Sequence, residues 1–477
     1  MISTAADADE PDPNRRSVLS GLTTGAILGT AAYAAPQPAA AASPSNIVMM
    51  DAAPLESVIH TRKASCVEVM SAYLDHIERL NARVNAIVAL QDRAQLLAQA
   101  RERDAELARG ESKGPLHGFP HAVKDLLGLG SHTYNPIYGA TRNAYDQSRS
   151  AGGSSGGAAV ALALRMLPLA DGSDYGGSLR NPAGWNNILG FRTSFGRVPV
   201  DGLDVWLPSM GVTGPMARNV SDLAMLLSVL AGFDSRAPLS MDDDTNVFRQ
   251  RLERDFKGTR VAWVADFKGH TPCEPEVLEV CKSALQTFES IGCEVEEAVP
   301  DYPLDAVWHA VMKLRAWQAG SGLLAFYNDP AKRALLKPEV IYEVESGLKL
   351  SAYDVTAASV VRTEWYKAVR EFLERYDYFV APTAQVFPFD VDIHWPQEIA
   401  GKKMETYHEW MKAMLLITMS GSPALAVPAG FSRQGLPIGI QIVAPNHGEL
   451  SCLQLAYAYQ LATNWTSTHL PSLLRPT

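Results

Sequence analysis

The chain has 477 residues, 47% hydrophobic and 20% charged, with a formal net charge of -10. That composition excludes a chain disordered throughout, and 35 Gly with 30 Pro excludes collagen-like and low-complexity classes. An acidic chain without basic runs is a poor partner for nucleic acid or anionic membrane surfaces.

The N-terminus reads Asn14-Arg15-Arg16-Ser17-Val18-Leu19, then a weakly apolar stretch to Tyr33, Ala32-Tyr33-Ala34, and an Ala/Pro/Ser-rich spacer to Ser45. Paired arginines, a diluted apolar core and a small-x-small site resemble a twin-arginine export signal. The expectation is a signal and spacer over 1–45 and a folded domain over 46–477. The twin-arginine machinery is then a partner, and the destination is periplasmic or extracellular. The apolar stretch is too short to span a bilayer, and no later segment is long enough, so no stable membrane insertion is expected.

Val67, Met70, Tyr73, Leu74, Ile77 and Leu80 share one face at helical spacing, which predicts a helix over about 66–80. Ser65 and Glu68 form a capping-box pattern at its start. A second helix is expected from Arg93 to Arg109, stopping at Gly110. Strands are expected at Arg260–Val264, Tyr378–Ala381, Ala424–Val427 and Ile438–Val443. A helix with Val277, Val280, Ala284, Leu285, Phe288 and Ile291 on one face follows the first of them. The alternation indicates an α/β protein with a largely buried sheet. Residues 301–410 look less regular and hold Trp308, Trp317, Trp365, Trp395 and Trp410, suited to core packing or to an apolar pocket. Five scattered cysteines without a CxxC pair read as buried thiols; no structural zinc and no other metal or organic cofactor is indicated.

Two Gly/Ser-rich segments carry the chemistry. The first is Ser150-Ala-Gly-Gly153-Ser154-Ser155-Gly-Gly157. The second is Asp171-Gly-Ser-Asp174-Tyr175-Gly176-Gly177-Ser178-Leu-Arg180-Asn-Pro182. Glycines beside a serine expose consecutive backbone N–H groups, which can hold an oxyanion. A serine hydroxyl needs a base, and no histidine sits in a recognisable motif. Lys124, in Gly118-Phe-Pro-His-Ala-Val-Lys124-Asp125, follows a short apolar segment, and burial lowers a lysine's pKa toward a useful base.

These segments resemble the amidase signature family, as do Pro115-Leu-His-Gly-Phe-Pro-His-Ala-Val-Lys-Asp125 and Gly435-Leu-Pro-Ile-Gly-Ile-Gln-Ile-Val-Ala-Pro445. The resemblance covers about residues 50–470, with a signature core near 114–215. It implies one large α/β domain with a mixed central β-sheet covered by helices on both faces, and hydrolysis of a small-molecule amide through a serine acyl-enzyme by a Ser–cisSer–Lys triad. Ser178 would be the nucleophile, Ser154 the bridging serine after a cis Gly153–Ser154 peptide, and Lys124 the base. Amides of Tyr175, Gly176, Gly177 and Ser178 would form the oxyanion hole. Gly153, Ser155, Asp174 and Arg180 would support the loops. The resemblance leaves the substrate open, with the variable region near 300–410. It also leaves open the glutamine-amidotransferase subunit, which an export signal fits badly.

The chain departs from the family at one place. Lys124 and Ser154 are only 30 positions apart, where relatives insert a strand–helix–strand stretch. A missing segment is expected near 126–128, exposing a sheet edge and apolar faces. A decayed, inactive or misfolded amidase relative is therefore one alternative. Another is an esterase of the α/β-hydrolase type, since Gly152-Gly153-Ser154-Ser155-Gly156 satisfies G-x-S-x-G, although the polar Tyr145–Ser150 stretch supplies no preceding strand.

Overall fold

In the computed structural model the described residues are 44–124, 130, 132–202, 204–207 and 209–475. The expected export signal, up to residue 43, and the expected junction at 126–128 lie outside them. The described part forms one compact α/β unit.

The N-terminal layer is helical: α1 (Ala52–His60), α2 (Cys66–Val84) and α3 (Arg93–Ala108). The capping box is formed at the start of α2, where Ser65 accepts from the Glu68 amide and Glu68 accepts from the Ser65 amide. The helix runs one turn beyond the expected end and stops at Asn85, in the left-handed region. Val69, Tyr73, Leu74 and Ile77 are buried along its inner face.

The rest is built on one eight-stranded sheet: β1 (Ala170–Asp174), β2 (Leu189–Arg192), β3 (Val212–Ala217), β4 (Arg260–Trp263), β5 (Glu294–Glu297), β6 (Tyr378–Pro382), β7 (Ala424–Phe431) and β8 (Pro437–Val443). The spatial order is β1-β3-β2-β7-β8-β6-β4-β5. The pairs β6–β4 and β4–β5 are parallel and the others antiparallel, so the sheet is mixed. The sequence pattern anticipates β4, β6, β7 and β8, which are continuous apolar runs. It misses β1, β2, β3 and β5. Ala170-Asp-Gly-Ser-Asp174 reads as a loop because Gly, Ser and Asp are poor strand formers; its extended form comes from pairing with β3.

Before, between and after the strands lie α4 (Gly156–Ala163), α5 (Arg180–Trp185), α6 (Pro275–Ser290), α7 (Leu304–Tyr327), α8 (Ala352–Phe372), α9 (Lys412–Ser420) and α10 (Glu449–Thr463). On β8, Gly439 and Gln441 face α5: a Cβ on Gly439 would lie 2.9 Å from the Gly184 Cα, and Gln441 accepts from Arg180. Ile438, Ile440 and Ile442 point the other way and are equally buried, on strands that α6 and α10 contact. Helices thus cover both faces of the sheet.

Residues 301–410 are more regular than expected, dominated by α7 and α8. Their tryptophans pack. Trp365 and Trp410 are fully buried, while Trp308, Trp317 and Trp395 lie half-buried against the same core. All five cysteines are buried free thiols.

Phe288 on α6 is fully buried and stacks on Tyr459 of α10 with ring centroids 4.9 Å apart. Phe288→Ala should cost about 3–5 kcal/mol. Urea unfolding should show a lower midpoint at unchanged slope.

Candidate active site

The two Gly/Ser-rich segments meet at the β1 edge of the sheet. The first leads into α4. The second is β1, a turn over 175–179, and α5. They are tied directly, because the Ser155 amide donates to the Ser178 carbonyl at 3.2 Å.

The Gly153–Ser154 peptide is cis. Thr133 clasps this turn: its amide and hydroxyl both donate to the Gly152 carbonyl, at 3.1 and 2.8 Å, and its hydroxyl accepts from the Gly156 amide. A Cβ at Gly153 would lie 2.7 Å from the Thr133 hydroxyl and 2.9 Å from the Gly130 carbonyl, so only glycine fits there. Ser155 precedes α4, and its hydroxyl donates to the Ser173 carbonyl at 3.4 Å, a loop-holding contact.

Lys124 reaches this turn from the segment running beside β1. Its Nζ donates to Ser154 Oγ at 2.9 Å and to Ser173 Oγ at 2.7 Å, with the Ser173 carbonyl at 3.3 Å. Burial pushes the ammonium down to about 8, against the opposing pull of Asp174 and Asp171. Lys124 is therefore partly neutral near neutral pH and able to take a proton. Sequence reasoning misses Ser173. The signal that finds it is period-two alternation along β1, which puts Asp171 and Ser173 on one face. Both meet this segment, Asp171 through His121 at 3.0 Å.

Ser178 follows Gly177, whose φ of +98° and whose contact with Met414 leave no room for a side chain. The Ser178 hydroxyl has no hydrogen-bond partner among the described residues. Lys124 is thus joined to Ser154, while Ser154 and Ser178 are linked only through their loops.

The expected row of four oxyanion donors is shortened. The Gly177 amide donates to Asp174 Oδ1 at 2.9 Å, and the Leu179 amide to Oδ2 at 3.1 Å. The turn curls over the carboxylate at its own base, which withdraws Gly177 from the row. Amides of Tyr175, Gly176 and Ser178 donate to no described acceptor and are the candidates that remain.

Asp174 and Arg180 are fully buried and bidentate, Nε to Oδ2 at 2.9 Å and Nη2 to Oδ1 at 3.0 Å. Arg192 adds a bond to the Asp174 carbonyl at 2.7 Å and a longer one to its carboxylate. Burial would raise the Asp174 carboxyl, but the Arg180 and Arg192 guanidiniums hold it well below the usual carboxylate range. Arg180 also reaches Gln441 Oε1 on β8 at 2.7 Å and Thr418 Oγ1 on α9 at 2.9 Å. Both thus hold the loop.

Ser154 has Lys124 as its partner rather than a histidine, and no strand leads directly into its turn. That geometry is not a nucleophile elbow. β1 beside Lys124 is one of the sheet's two outer strands, and Val123 is 79% exposed.

The family model described as Amidase matches residues 68–129 and 126–453, two pieces that meet just past Lys124. An acylamidase of Rhodococcus erythropolis is 29% identical, over 88% of this chain and 97% of that protein. A glutamyl-tRNA(Gln) amidotransferase subunit of Moorella thermoacetica is 30% identical, over 86% of this chain and 96% of that protein. A bacterial aryl acylamidase structure of the amidase signature enzymes superposes with a TM-score of 0.82 at 24% identity, covering 90% of this chain and 99% of the other.

Asp174→Ala would leave the buried Arg180 and Arg192 without their counter-charge. A loss of about 3–5 kcal/mol is expected. Thermal unfolding of the two proteins side by side measures it.

Proposed function

Since the chain belongs to the amidase (amidase signature) family, we propose that this hydrolase cleaves a small-molecule amide through an acyl-enzyme on Ser178. The hydrogen bond from Lys124 to Ser154 supports the reading most directly: a half-buried amine of lowered pKa is aimed at the one serine on the cis turn.

In the proposed cycle, substrate binding tightens the apo arrangement so that the Ser178 hydroxyl gives its proton to Ser154 as it attacks the carbonyl. Ser154 passes its own proton to neutral Lys124. The free amides of the 175–178 turn receive the developing oxyanion. The proton returns along the same path to the leaving amine. Water then attacks the acyl-ester as Lys124 takes its proton through Ser154; the bond to Ser178 breaks, the proton returns to the Ser178 oxygen, and the carboxylic acid product leaves. Acylamide or aryl acylamide substrates are a natural first panel, given the relatives matched.

A second reading, a family member weakened by loss of a segment, is favoured by the two-part family match at 126–129 and by the outer position of β1. The closed Lys124–Ser154 contact weighs against it. Turnover decides between them.

The base must be neutral, so kcat/KM should rise as pH passes through about 8 and then level off. Lys124→Met should lower kcat by about 10²–10⁴ and abolish that inflection. Ser178→Ala should remove turnover and the substrate-derived acyl adduct seen by mass spectrometry in quenched wild-type reactions. A wild-type protein that melts cooperatively yet forms no adduct with any amide in the panel would reject the hydrolase reading.

We propose export by the twin-arginine route as well, on the strength of Arg15-Arg16 and the segment that follows. Replacing both arginines by lysine should retain the protein in the cytoplasm, as fractionation and immunoblotting would show.

A further inference from the structure

A trough of about 360 Å³ runs along the outer side of the Lys124 segment. One wall is α2, with Met70, Leu74 and Ile77; another is α4, with Ala158 and Ala161; Lys124 and Ser154 lie at its base. Ser178 is not among the described residues that line it. Its volume falls in the range of small-molecule sites, and its walls are mostly apolar.

Charge narrows the occupant. Among the described lining residues are Lys124 and His121, and no carboxylate. Among the described residues, the acids that act on Lys124 are Asp174 and Asp171, both on β1 and both engaged. Asp174 is tied to Arg180 and Arg192, and Asp171 to His121. A mostly apolar trough whose described charged lining is Lys124 and His121 fits a molecule with an aliphatic tail and one anionic head.

We propose that this trough is an inhibitory site for medium-chain aliphatic carboxylates, the tail lying between α2 and α4 and the carboxylate pairing with the Lys124 ammonium. Bound there, the acid holds Lys124 in its protonated form and breaks the relay from Ser154 without occupying the Ser178 side. Such acids are also the product class of an amidase acting on aliphatic acylamides. The enzyme's own chemistry could therefore supply the inhibitor.

The test is calorimetric titration of the full chain with octanoate and decanoate at pH 7, with octanol as the uncharged control. Each added methylene should tighten binding about threefold to fourfold. Octanol should bind at least tenfold more weakly than octanoate. Ala158→Phe and Met70→Trp, each filling the trough from a different wall, should weaken decanoate at least tenfold. Their melting temperatures report whether either has merely unfolded.

In initial-rate assays decanoate should lower kcat with little change in KM and move the pH inflection of activity upward. This arm rests on the amidase reading; the calorimetric arm does not, so the two can fail separately. No heat of binding, or binding equal for octanol and octanoate, would overturn the proposal. So would binding untouched by both filling variants while they stay folded. Decanoate binding only after residues 1–34 are removed would assign the trough to the chain's own N-terminal segment and overturn it as well.

Discussion

The Asp174 carboxylate is the point on which the loop carrying Ser178 is built. It accepts from two guanidiniums and from the amides of Gly177 and Leu179, all out of contact with water. Burying three charged groups is costly unless each finds partners, and here most of the donors do. The consequence is mechanical. A turn of five residues with two glycines would sample many conformations; two amides bonded to one carboxylate fix its curl. Through Arg180 the same node is anchored to Gln441 and Thr418, more than two hundred residues downstream. The direction in which Ser178 leaves the loop is therefore set jointly by the middle and the end of the chain.

Lys124, the proposed base, is held differently. Lys124 lies on a segment without strand pairing, fixed by Ser154 and Ser173 at its tip and by the His121–Asp171 pair behind it. On one side is β1. On the other is the trough between α2 and α4. The Ser178 side of the site thus sits inside a buried polar network, and the Lys124 side rests beside the outer strand β1. Desolvation by the surrounding apolar walls lowers the affinity of Lys124 for its proton, and the open trough gives solutes a path to it. Reactivity and vulnerability to an anionic ligand have the same origin.

Much of this is legible in the amino-acid pattern. Continuous apolar runs announce β4, β6, β7 and β8, and helical periodicity with a capping box announces α2, because those elements owe their form to local pattern. Lys124, Ser154 and Ser178 are legible from the motifs around them. The strand β1 is not, since Ala-Asp-Gly-Ser-Asp has no strand propensity and acquires extended form only from β3. Ser173 is hidden for the same reason: its reach to Lys124 depends on which face of an unrecognised strand it occupies. Motif spacing places Gly177 in the oxyanion row, whereas the carboxylate of Asp174 takes its amide, a contact that spacing alone does not reveal.

The residue types of the site, their order along the chain and the α/β class are all set by local information: glycine tolerance, apolar period and motif spacing are written within short segments. Which amides stay open, which residue holds the base beside Ser154, and that the base faces a trough are set only by the folded chain. Each of those is a contact between segments distant in the sequence, and its geometry exists only once the sheet has brought them together.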